Sequence, residues 1–122
     1  MQDNTWDVPY STICFVERAL CGHTKIARCV RTKDTVFRIE LMNEKTIHML
    51  LVHEYNLSVA TIQWAQAKFP EVDYIVTSMD WFGYTKDAKQ YGKNNDLGIF
   101  TFREFMGALH RKNPKTYFKK DK

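Results

Sequence analysis

Apolar and polar positions along the chain change their period several times, and each change marks an element. From Ser11 to Cys21, Ile13, Val16, Ala19 and Leu20 recur at helical spacing, and Gly22 supplies a natural stop. The pattern then turns strand-like over Lys25 to Arg31, Thr35 to Met42 and Thr46 to Glu54. In the second of these, Phe37, Ile39 and Leu41 alternate with Val36, Arg38, Glu40 and Met42, the period of a strand with one apolar face. Thr32 to Asp34 and Asn43 to Lys45 are short enough to be antiparallel hairpin turns. The third strand is apolar on both faces from Met49 to Val52, which predicts a central position covered on both sides.

The second half reads as crossovers. Ser58 can cap a helix whose Val59, Ile62, Ala65 and Phe69 gather on one side, with Pro70 marking its end. Trp64 falls opposite with Lys68, so this helix is expected to be covered on more than one side. Tyr74 to Ser78 reads as a buried strand, Thr85 as the cap of a helix, and Ile99-Phe100 as a strand leading into Thr101-Phe-Arg-Glu104. That last tetrad is a capping box: the Thr101 hydroxyl can accept from the third backbone N–H while the Glu104 carboxylate accepts from that of Thr101. Phe102, Phe105, Met106 and Leu109 then give the final helix its inner face. The expected fold class is α/β: a single mixed sheet, order α-β-β-β-α-β-α-β-α, with helices on both faces. Right-handed crossovers would set the last strands parallel to the third, and polar loops would gather at their carboxyl ends, where open α/β sheets bind ligands.

Composition narrows the class. With 122 residues, 44% hydrophobic and 14% aromatic, the chain suits one domain with a continuous core, read here as residues 1–110, followed by a tail at 111–122. No apolar run approaches the roughly 18 residues of a membrane span, and the first residues lack the basic flank and apolar stretch of a signal peptide. The expectation is a cytoplasmic protein without membrane association. Three cysteines, Cys14, Cys21 and Cys29, read as reduced thiols. With His23 they supply zinc-type donors but lack Cys-x2-Cys spacing, while His48 and His53 fall on opposite faces of a regular strand.

The net charge of +4 is unevenly spread. Six of the 18 basic side chains lie in residues 110–122 against Asp121 alone, which leaves 12 basic and 13 acidic side chains in residues 1–109. Arg111, Lys112 and the lysines after them either follow phosphates by displacing counterions or simply solubilise the end. In the loop before the Thr85 helix, Trp81, Phe82 and Tyr84 either stack on bases, with Lys86 and Lys89 supplying charge, or staple the helix to the core.

Ile75-Val-Thr-Ser78 followed by Thr85-Lys-Asp-Ala88, in this element order, resembles the restriction-endonuclease-like fold of the PD-(D/E)xK superfamily, nearest the C-terminal half of the Mrr-type domain. The likeness is clearest over residues 73–109. It implies an acid on the second strand and an E-x-K on the third that hold Mg²⁺ for phosphodiester hydrolysis. The corresponding positions here are Glu40 and Glu54-Tyr55-Asn56, with Glu17 resembling the first-helix acid of some members. Asn56 stands in place of the lysine and cannot act as a cation or accept a proton near neutral pH. Two readings follow: a Mg²⁺-dependent nuclease with Glu40 and Glu54 as metal ligands, or a nuclease-like scaffold without hydrolysis that binds nucleic acid or a protein. The resemblance implies nucleic acid as the partner, DNA ahead of RNA, and admits a homodimer, since cutting both strands takes two sites.

Overall fold

A computed structural model of the chain describes residues 4–79 and 83–111. Helix α1 (Tyr10–Cys21) leads into three strands, β1 (Ile26–Lys33), β2 (Val36–Leu41) and β3 (Thr46–Val52), and a two-residue strand β4 (Asn56–Leu57). Then come α2 (Val59–Lys68), β5 (Tyr74–Thr77), a second two-residue strand β6 (Gly83–Tyr84), α3 (Lys86–Asn94), β7 (Gly98–Thr101) and α4 (Phe102–Ala108). The expected succession of helices and strands is present, with β4 and β6 added. These pair parallel with each other in a small sheet of their own, Asn56 opposite Gly83 and Leu57 opposite Tyr84.

The main sheet has five strands in the order β1-β2-β3-β5-β7. β1, β2 and β3 form an antiparallel meander, and β3, β5 and β7 run parallel. Pairing alternates side chains between two faces. Phe37, Ile39, Met49, Leu51, Tyr74, Val76 and Phe100 share one face by register and are all buried. Helix α4 packs there, Phe105 making ring contacts with Tyr74 and Phe100 at 5.3 and 6.5 Å. Helix α1 joins it through Phe15 against Phe102, and just beyond the helix end the His23 Nε2–H donates to the Met106 carbonyl at 2.8 Å. Gly98 lies beneath the Tyr74 ring; a Cβ there would stand 2.4 Å from Tyr74 Cδ2, so only glycine lets the ring settle on the sheet.

The opposite face is divided. Val36, Leu50, Ile75 and Ile99 are buried under α2 and α3, which are tied together by the Tyr91 hydroxyl donating to Gln66 Oε1 at 2.8 Å. Lower on the meander the same face carries Arg38, Glu40, Thr46 and His48 and is left uncovered by a helix. The residue pattern explains the division: only the upper rows are apolar, so only they repay burial. The N-terminal segment completes the cover. Thr5 donates its backbone N–H and hydroxyl to the Asp34 carboxylate (3.1 and 2.6 Å), and Trp6 beside it packs between Trp64 and Phe69. The covering expected on the Trp64 side of α2 is therefore only partial: Trp6 backs the Trp64 ring, which stays 53% exposed. Among the described residues, no helix is long and apolar enough to cross a membrane.

Candidate functional site

The carboxyl ends of β3, β5 and β7 collect the polar side chains that the sequence places at strand ends. Thr77 is fully buried, and its hydroxyl is spent on backbone: it donates to the Glu54 carbonyl at 2.5 Å and accepts from the N–H groups of Glu54 and Met79. The Glu54 carboxylate turns to α2, where Oε1 accepts from the Thr61 hydroxyl at 3.3 Å. Next to it, His53 Nδ1 and Ser78 Oγ lie 2.7 Å apart. A hydroxyl and an imidazole at this distance are two parts of a nucleophile, but the chemistry also needs an acid that orients the ring and donors for an oxyanion. Glu54, the neighbouring acid, is engaged with Thr61 instead.

The four residues carried over from the nuclease resemblance do not come together. Glu40 pairs with Thr46, the first residue of β3, whereas Glu54 lies beyond that strand's last residue, Val52. Antiparallel pairing therefore puts them at opposite ends of β3, roughly 20 Å or more apart at about 3.3 Å per residue. One Mg²⁺ cannot bind both, and this corrects the expected metal pair: side chains alternate along β2 as its pattern predicts, but the sense of the hairpin sends its far end away. Glu40 instead faces Arg38 at 3.4 Å on the open face. Glu17 sits half-buried on α1, within electrostatic reach of Cys29 on β1, and Asn56 is exposed in β4. Among the described residues there is no group of three or more His, Cys, Asp or Glu able to hold a metal, which covers the zinc-type donors as well. Burial, with Cys21 alongside, pushes the Cys29 thiol up to about 12, so it stays protonated.

The residues expected to meet nucleic acid fare differently. Tyr84, Lys86 and Lys89 line one groove of about 310 Å³ with Gln90 and Lys93. Four of these recur at i, i+3, i+4 and i+7 on one side of α3, whose start is fixed by the Thr85 hydroxyl accepting from the Ala88 N–H at 2.9 Å. Gln90 and Lys93 were not among the expected residues, yet the helical period from Lys86 and Lys89 points to both. Lys89 is not the exposed contact that its charge suggests. Only 5% of it is exposed, and its stem forms part of the groove while its ammonium donates to the Ile99 carbonyl at 2.7 Å. It also lies 3.8 Å from the Phe100 ring centroid and 5.2 Å from that of Tyr84. Burial lowers its pKa from 10.5 to about 8, with the Glu104 carboxylate acting in the opposite sense.

Beneath the groove, the capping box read from sequence is present, and the Tyr84 hydroxyl donates to Glu104 Oε2 at 2.8 Å. Gly83, at φ +79, allows this approach; a Cβ would stand 2.8 Å from Thr101 Cγ2. Tyr84 therefore both packs and lines the groove, joining the two roles foreseen for the loop aromatics. Trp81 and Lys112 lie outside the described residues. Arg111 lines a separate cleft of about 490 Å³ with Lys25, Met42 and His110, beside the beginning of β1. No family model, curated protein or solved structure matches the chain.

Proposed function

We propose that this chain is a nucleic-acid-binding module built on a restriction-endonuclease-like scaffold, without hydrolytic activity, and that the α3 groove holds the phosphate backbone. The observation that carries the reading is the groove itself: two exposed lysines, Lys86 and Lys93, and Gln90 at helical spacing on α3, beside Tyr84 and over the stem of the buried Lys89. Lysine side chains bind phosphates as mobile point charges and release condensed counterions, which suits a sequence-independent backbone contact. An antiparallel meander followed by two parallel crossovers agrees with the resemblance, as does the polar collection at the parallel strand ends. The separation of Glu40 from Glu54, with Asn56 where the lysine would stand, favours binding over cleavage.

The test is fluorescence anisotropy with labelled oligonucleotides over a salt series, with Mg²⁺ present and the nucleic acid recovered intact afterwards. Replacing two phosphate contacts in Lys86→Gln/Lys93→Gln should weaken binding roughly tenfold at low salt and flatten the log K against log salt slope by about 1.5. Unchanged binding in that variant would sink the groove, and Mg²⁺-dependent cleavage lost in Glu54→Gln would restore the nuclease reading.

A further inference from the structure

Trp64 is unusual among the large side chains of the layer formed by α2 and α3. It is 53% exposed, although it belongs to a stack of rings. Trp6 backs it at 5.0 Å between centroids, tilted by 52°, and Phe69 follows Trp6 at 6.0 Å. Trp6 is buried, and its indole N–H has no acceptor among the described residues, so ring area rather than hydrogen bonding is what this stack supplies. Two cations edge the same cluster, the Lys33 and Lys68 ammonium groups at 5.5 and 5.8 Å from the Phe69 centroid, and the Glu71 carboxylate pairs with Lys33 at 3.1 Å. A flat apolar surface backed by a second ring, with the Lys68 ammonium at the edge of the ring cluster, suits a flat apolar group that carries negative charge. A nucleobase with its phosphate has that composition.

From the α3 groove, a strand reaches Trp64 over the outer face of α2. Gln66 and Tyr91 bind α2 to α3, so Lys86 and Lys93 belong to the same layer as Trp64 and Lys68. The outward positions of α2 are Ala60, Gln63 and Ala67, and the helix has no acidic residue that would repel a phosphate. We propose that Trp64 is a base-stacking subsite and that the chain therefore prefers single-stranded nucleic acid over duplex. This rests on the reading of the α3 groove. A base can lie on Trp64 only when it is free of its partner, whereas lysines contact the phosphates of either form.

Equilibrium binding of oligothymidylate and of a duplex of the same length distinguishes the two levels of the argument. The native chain should bind the single strand more tightly. Trp64→Ala should weaken single-strand binding roughly tenfold with little change for duplex, and Trp64→Phe should keep most of the affinity, since base stacking tolerates any aromatic ring. Full single-strand affinity in Trp64→Ala, alongside a loss in Lys86→Gln/Lys93→Gln, would overturn the stacking subsite and leave the groove standing. Normal binding in the lysine variant would remove the groove, and no binding to either probe would remove both. Should Trp64→Ala not fold, Trp6→Phe/Trp81→Phe leaves Trp64 as the one indole. Its fluorescence should be quenched by oligothymidylate, and an unchanged signal at saturation overturns the proposal.

Discussion

The meander and the crossover half both carry charge, yet they treat it in opposite ways. On the meander, Arg38 and Glu40 meet at 3.4 Å on an open face, with 48% and 32% of their side chains exposed. At β7, Lys89 and Glu104 are both nearly buried, and every polar atom described there has been given work: Ile99, Tyr84 and the α4 cap. Water already satisfies the first pair, so the protein gains little from it. The second grouping had to be desolvated, and its geometry is correspondingly determined. Candidate chemistry is therefore better sought where burial forces charges into fixed positions than where acids merely fall on neighbouring strands.

The sharpest way to break this contrast is Glu104→Ala, which removes the capping carboxylate and the Tyr84 acceptor and leaves the Lys89 cation without its nearby counter-charge. A loss of about 3 kcal/mol in urea unfolding is expected. A loss below about 1 kcal/mol would mean that the buried grouping is no more determined than the exposed one.

The next effect is one of pH. Lys89 is charged in the unfolded chain up to about pH 10.5 but loses its proton near pH 8 when folded. Between these values the unfolded state binds more protons, so the contribution of Lys89 to stability rises with pH and is least favourable below pH 8. Cys29 and Tyr74 act the other way, because burial raises both. The difference between the native chain and Lys89→Met cancels them. It should shift in favour of the native chain by about 2 to 3 kcal/mol across the window, followed by urea unfolding at a series of pH values. A flat difference would place the ammonium in water. Smallest of all, Glu40→Ala should change stability by less than about 0.5 kcal/mol; a large loss would give the open face a determined role that its exposure denies.

The fold was legible where side chains repeat. Phe37, Ile39 and Leu41 announced the α1 and α4 face of the sheet, and the Thr101 and Glu104 capping box announced α4. What repetition does not carry is direction in space. The residues of β2 and β3 were correctly faced, but the hairpin between them reverses the chain, and so Glu40 and Glu54 part company. Nor could two-residue strands show a period, which hid β4 and β6 and with them the approach of Tyr84 to Glu104. Lys89 was legible as a residue of the groove because it lies three positions from Lys86. Its burial was not, since that depends on the edge of β7, which is set by strand order rather than by the helix that bears the lysine. Trp64 was visible as a misfit on α2; its partner Trp6, far away in sequence, was not.

The ammonium at Ile99 also bears on how a further strand could join the sheet. Gly98 donates its N–H to the Asp73 carbonyl of the preceding loop, and alternation turns the backbone groups of Ile99 outward, along the margin of the sheet. A further strand arriving there would need the Ile99 oxygen as its acceptor and would have to displace a cation to reach it. At the other margin β1 carries Arg28, Arg31 and Lys33. Basic side chains thus stand at both rims of the sheet, where a further strand would have to pair, a placement that works against strand addition and the growth of larger aggregates.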